Sequence, residues 1–147
     1  MSLPLEGIKV LDLSRYLPGP FCTQILADFG AEVIKVEDPR GGDLGRTLTP
    51  CIEGESARFP TVNRNKKSIT LDLKQEAGKE IFRQLVAKAD VVVDQFRPGV
   101  MKKMGLDYDA LKKVNPGIIY CAITGYGWTG PMKDAAGHDL NYLNLAG

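Results

Sequence analysis

The chain has 147 residues, 44% of them hydrophobic and 25% charged, enough for one domain with a proper core or for a segment of a larger protein. Lys and Arg total 19 against 18 for Asp and Glu, which argues against a nucleic-acid-binding surface and against a disordered acidic tail, so any anion site must be local. Cys22, Cys51 and Cys121 are odd in number and outside any C-x-x-C, no basic-then-apolar leader opens the chain, and no apolar run is of bilayer length; a cytoplasmic, metal-free, membrane-free protein is expected.

In chain order, the runs IKVLDL (8–13), EVIKVE (32–37), SITLDL (68–73), VVVD (91–94) and GIIYCAIT (117–124) are rich in Val and Ile and read as buried parallel strands, apolar on both faces. Between the first two, Pro20 and Gly30 bracket a helix over FCTQILADF, with Phe21, Ile25 and Phe29 on one face. The spacing predicts a second helix over 74–89, where Ile81, Phe82, Leu85, Val86 and Ala89 form an apolar stripe opposite Lys79, Glu80, Arg83 and Lys88. A third short helix is predicted over 107–114, and a last one over LNYLNLA near the end. Alternating strands and helices predict an α/β fold, an open and largely parallel Rossmann-like sheet with right-handed crossovers. The irregular stretch 38–67 exceeds an ordinary connection and reads as a lid or docking surface.

In such sheets ligands sit beyond the carboxyl ends of the strands. After the first strand, SRYLPGP (14–20) leads into a helix N-terminus, a natural anion site. After the second, EDPRGGD (37–43) offers Arg40 and two glycines. After the fourth, QFRPG (95–99) offers Arg97, with Lys102 and Lys103 a turn later. After the fifth, GYGWTGP (125–131) spells G-x-G-x-x-G, but Pro131 follows at once, so a tight turn over a pocket is preferred to a nicotinamide site. RNKKSITLDLK (64–74) adds Arg64, Lys66, Lys67 and Lys74, each by itself a plain solvated charge; together with Arg40, Arg97 and Lys103 they suit a ligand carrying several phosphates. AAGHDLNYLNLAG (135–147) holds the single histidine, His138, beside Asp139. Asp139 as a helix cap and His138 as a packed residue are the plain alternatives to acid/base chemistry.

PLEGIKVLDLSRYLPGPFCTQILADFGAEVIKVEDPRGGD, NRNKKSITLDLK, ADVVVDQFRPGVMKKMGLDYDALKKVNPGIIYCAITGYGWTGP and AGHDLNY, in this order, closely resemble the N-terminal part of the family III CoA-transferases. That group, also called the carnitine dehydratase/bile-acid-inducible F type, includes α-methylacyl-CoA racemases. The resemblance implies that residues 1–147 are the N-terminal, CoA-binding segment of a Rossmann-like large domain. The remainder of that domain and a small domain are then absent from this chain, and the full-length protein is an interlocked homodimer. It implies coenzyme A, carried as acyl-CoA, against Leu71, Lys74, Gln95, Phe96, Arg97 and Lys103, with Leu17 and Pro18 near the reactive end. Where relatives often carry Arg after the second strand this chain has Asp38, so either Arg40 takes over a phosphate contact or that contact is missing.

For the catalytic pair the resemblance implies two chemistries. In a transferase, the carboxylate matching Asp139 attacks the thioester, forms a mixed anhydride and then carries CoA as an aspartyl thioester, with a carboxylic acid as acceptor. In a racemase, the residue matching His138 exchanges the proton α to the thioester, with a second carboxylate on the opposite face. Backbone N–H groups at the start of the last helix are the expected donors to the developing oxyanion. The spelling G-H-D-L-N-Y leans the reading toward the racemase, with the transferase as alternative and a non-catalytic CoA-binding fragment as a further one.

Overall fold

The computed structural model describes residues 2–147. Strand β1 (Lys9–Asp12) leads into helix α1 (Pro18–Asp28) and strand β2 (Glu32–Glu37). The long connection that follows holds 3-10 turns at Leu44–Thr47 and Pro60–Val62 and a small hairpin of β3 (Cys51–Ile52) and β4 (Glu55–Ser56). Then come β5 (Lys66–Thr70), α2 (Glu76–Val86), β6 (Val91–Asp94), α3 (Val100–Met104), α4 (Tyr108–Val114), β7 (Ile119–Ala122) and α5 (Asp139–Ala146).

The main sheet has the order β5-β2-β1-β6-β7 and every pairing in it is parallel. The chain therefore winds outward from β1 in one direction through β2 and β5, and in the other through β6 and β7. That places the reversal between β1 and β6, where such sheets open a crevice at their carboxyl ends. All five predicted strands are present, the third starting earlier than expected, at Lys66. Helix α3 was not foreseen, since it is only five residues long and flanked by Gly99 and Gly105.

Helices cover both faces. On one, Leu11 and Val92 pack with Phe82 and Val86 of α2, Met101 of α3 and Leu111 of α4. Phe82 is fully buried, worth about 2–3 kcal/mol of transfer free energy. Ile81, expected in the same stripe, lies at its edge and is 47% exposed. On the other face Val10, Val33 and Val93 pack with Ala27 of α1 and with Ala31.

The strands are not apolar on both faces throughout. On the α1 side, Asp12, Lys35 and Glu37 are all buried near the carboxyl ends of β1 and β2. Lys35 pairs with Asp43 at 2.8 Å, and Lys66 with Asp12 at 3.1 Å. Lys66 Nζ also donates to Thr23 Oγ1 at 2.7 Å, Pro20 O at 2.8 Å and Asn63 Oδ1 at 3.0 Å. Burial alone would raise the Asp12 carboxyl, but Lys35, Lys66, Ser14 and Thr23 together hold it below the usual range. These contacts tie the long connection to the sheet.

The same cluster explains a reversal in α1. Phe21, Ile25 and Phe29 face outward, at 53%, 41% and 51% exposure, while Thr23, Gln24 and Ala27 are buried. A helix packed over Asp12 and Lys66 needs small and hydrogen-bonding residues inside, so its apolar stripe points away.

Candidate functional site

Two cavities open at the carboxyl ends of the strands, and the Phe96 ring is a wall of both. The smaller, of about 130 Å³, lies among the ends of β1, β2, β5 and β6 and is lined by Leu13, Arg15, Asp38, Arg40, Leu71 and Lys74, among others. The larger, of about 590 Å³, lies among the ends of β6 and β7, the start of α1 and the segment leading into α5. Pro18, Gln95, Arg97, Lys133, His138 and Tyr142 are among its walls. A ligand lying across Phe96 would meet cations on both sides, Arg15 and Lys74 in the smaller cavity and Arg97 and Lys133 in the larger, which suits a long carrier with anionic phosphate groups.

The loop after β6 is built to hold that position. Asp94 is buried, and its Oδ1 accepts the Phe96 N–H at 2.9 Å. Gln95 Oε1 accepts the Gly19 N–H at 3.2 Å, which ties the loop to the start of α1. Gly19 is required by space, since a Cβ there would stand 2.1 Å from Ser14 Cβ.

This geometry corrects one expectation. The start of α1 offers an anion fewer donors than its sequence suggests. Pro18 and Pro20 have no N–H, that of Gly19 goes to Gln95, and that of Phe21 goes to Leu17 O. Among the described residues at this start, only the Leu17 N–H, just ahead of the helix, is left without an acceptor.

The basic residues divide sharply. Arg40 lines the smaller cavity but donates to Asp38 from Nε and Nη2, both at 2.8 Å, and to Asp72 at 3.2 Å. Its hydrogen bonds hold the Asp38 carboxyl down at about 2, against burial, with Arg15 adding to the same effect. Arg40 is thus already matched by carboxylates. Arg64 pairs with Asp28, and Lys67 with Glu32. Lys66 is buried on Asp12, Arg64 and Lys67 sit in exposed pairs, and none of the three lines either cavity. Lys74 and Arg97 line the cavities without a carboxylate partner among the described residues. Lys103, exposed on α3, lines neither cavity, nor does Leu17, which is 61% exposed beside Pro18.

Two basic residues were missed. Arg15 lies in the smaller cavity with its guanidinium carbon 5.6 Å from the centroid of Phe96, and Lys133 lines the larger. Arg15 carried a usable signal, being three residues beyond β1 at the favoured end of the sheet. Lys133 carried none, because the path of residues 125–137 is set by tertiary packing.

His138 and Asp139 separate. His138 lines the larger cavity and is the residue at which α5 begins, its N–H donating to Asn141 Oδ1 at 2.9 Å. Asp139 is the first helical residue, exposed and not part of the cavity wall. The N–H groups of Asp139 and Leu140 have no acceptor among the described residues, so the start of α5 does offer donors.

The chain matches the description CoA-transferase family III over residues 5–147. It is 52% identical over 145 residues to the succinyl-CoA:glutarate CoA-transferase of Mus musculus, covering 98% of this chain and 33% of that one. It is 46% identical over 144 residues to the acetyl-CoA:oxalate CoA-transferase of Acetobacter aceti, covering 98% and 37%. A crystal structure of a CAIB/BAIF family protein from Brucella suis superposes with a TM-score of 0.89 at 50% identity, covering 95% of this chain and 38% of that one. The chain thus spans about a third of the length of the curated relatives it matches. Both of those relatives are named as CoA-transferases and neither as a racemase, so the leaning toward a racemase gives way to the transferase alternative. The parallel sheet, the cavities at its switch point and these likenesses agree on one conclusion: the chain belongs to CoA-transferase family III.

Proposed function

We propose that this chain is the acyl-CoA-binding segment of a CoA-transferase that moves CoA from an acyl-CoA to a free carboxylic acid. The observation that carries the reading is the pair of cavities sharing Phe96 at the sheet's switch point. Arg15, Lys74 and Arg97 around it serve the phosphates, and the larger cavity takes the thioester end. The transferase names of the relatives support the reaction type. Their different acids, glutarate and oxalate, leave a small carboxylic acid as the acceptor class. Assembly as a homodimer belongs to the same proposal.

The reaction needs a carboxylate nucleophile; Asp139, next to the wall residue His138 though itself outside the wall, is the candidate in this segment. Its attack on the thioester carbonyl expels CoA thiolate and leaves a mixed anhydride. The thiolate attacks the enzyme's carbonyl carbon, releasing the donor acid and forming an aspartyl-CoA thioester. The acceptor carboxylate displaces CoA to form a second anhydride, and the thiolate then attacks the acceptor's acyl carbon, regenerating the Asp carboxylate. Negative charge gathers on the carbonyl oxygen at each addition, and the free N–H groups of Asp139 and Leu140 are suited to receive it. His138 at the cavity wall orients the thioester.

Peptide mass mapping tests this. Full-length protein incubated with an acyl-CoA and then hydroxylamine should carry a hydroxamate on the peptide containing AGHDLNY. A hydroxamate on a different carboxylate would remove Asp139 from the role and keep the reaction. Purified enzyme that exchanges the acyl α-proton with deuterated solvent but moves no CoA would overturn the transferase reading.

A further inference from the structure

Two glycines after β7 have no room for a side chain, and one residue fills both places. A Cβ on Gly125 would stand 2.9 Å from Tyr142 Cζ and closer still to its hydroxyl; one on Gly137 would stand 2.6 Å from both atoms. Neither glycine has positive φ, whereas Gly127 and Gly130 between them do. Glycine at 125 and 137 therefore answers to space and not to backbone conformation, since a Cβ at either would have to displace the Tyr142 ring. The Tyr126 ring closes the slot, its centroid 5.3 Å from that of Tyr142.

Among the described residues the loop between these glycines has few other polar contacts. Its backbone hydrogen bonds, Lys133 N–H to Gly130 O, Ala135 N–H to Met132 O and Gly127 N–H to Thr124 Oγ1, all stay within residues 124–137. Its ion pair, Lys133 with Asp134, joins neighbours. Yet Lys133, Ala135, Ala136 and Gly137 form one side of the larger cavity and lead straight to His138. The wall of the cavity is a loop pinned at both ends by a single ring.

Resting on the assignment of that cavity to the thioester end, we infer that Tyr142 is the positioning residue of the site. Its ring, seated between Gly125 and Gly137, holds the 125–137 loop on α5 and keeps His138 at the cavity, which sets how tightly the acyl end is held. The ring supplies most of the filling; its hydroxyl has no hydrogen-bond partner among the described residues and adds the last contact against Gly125 and Gly137.

Full-length protein carrying Tyr142→Ala, Tyr142→Phe or Gly137→Ala separates the possibilities. Hydrogen exchange of peptides spanning 125–137 should speed up roughly tenfold in Tyr142→Ala, the loss of one aromatic anchor. KM for acyl-CoA should rise by a similar factor while the Kd of free CoA stays within about threefold, because Phe96 and Arg97 are untouched. Tyr142→Phe should bring both readings back toward wild type. Gly137→Ala should reproduce Tyr142→Ala with the tyrosine still present, and it carries the test if Tyr142→Ala fails to fold. Wild-type exchange and KM in Gly137→Ala, or a Tyr142→Phe protein as impaired as Tyr142→Ala, would overturn the inference. Wild-type protein that moves no CoA would instead refute the proposed function, and the exchange comparison would still decide the role of the ring.

Discussion

Glu37→Gln should weaken the fold by about 2–3 kcal/mol at neutral pH, and by progressively less in acid. Glu37 ends β2 with its side chain 3% exposed. Its Oε2 accepts from Asp43 N–H and Arg46 Nε, both at 2.8 Å, and its Oε1 accepts from Arg46 Nη2 at 2.7 Å and from the Ser68 hydroxyl. Burial pushes the carboxyl up, but hydrogen bonds from Arg46, Ser68 and the Asp43 N–H outweigh it and bring the pKa from 4.5 to about 2. A displacement of that size corresponds to about 3 kcal/mol, trimmed here because the Arg46 side chain is 42% exposed and partly screened. The group is depressed on folding, so its stabilisation is complete above pH 4.5 and is lost as pH falls through 2. Glutamine keeps the shape without the charge and has no titration to lose. Urea midpoints for both proteins from pH 7 to pH 2 should therefore differ most at neutrality and converge in acid. Equal midpoints at pH 7, or a gap that stays constant to pH 2, would refute the assignment of this carboxylate as the charged anchor of the 38–47 segment.

Three further outcomes are expected. Arg97→Ala should weaken CoA binding by roughly ten- to a hundredfold, the cost of a lost charge-assisted contact, while Lys103→Ala, outside both cavities, should change it less than about threefold; calorimetry with free CoA distinguishes them. Asp38→Asn should tighten CoA binding several-fold in the same assay by releasing Arg40 toward the smaller cavity, and the gain should vanish in the Asp38→Asn/Arg40→Ala protein. Gly19→Ala should cost about 1–3 kcal/mol in a denaturation experiment, because its Cβ would overlap Ser14 Cβ and press on Gln95 Oε1.

Local chemistry was enough to place the five parallel strands, α2 and the end of the sheet at which the cavities open. Val- and Ile-rich runs of strand length and a stripe such as Phe82, Val86 and Ala89 report burial through spacing alone. The family likeness was legible for the same reason, in motifs that stay contiguous along the chain. Tertiary structure decided which charges are spent. Arg40, Arg64, Lys66 and Lys67 look alike in sequence, yet each is matched by a carboxylate from another element, Asp72 after β5, Asp28 of α1, Asp12 of β1 and Glu32 of β2, whereas Arg15 and Lys133 are brought to the cavities by the fold. It also decided which side of α1 is inside. The outward stripe of Phe21, Ile25 and Phe29 has the pattern of a core face, and only the buried Asp12–Lys66 pair beneath the helix reverses it. An ion pair forms across three dimensions between residues far apart in the chain, so its effect on neighbouring faces has no period for a sequence to display.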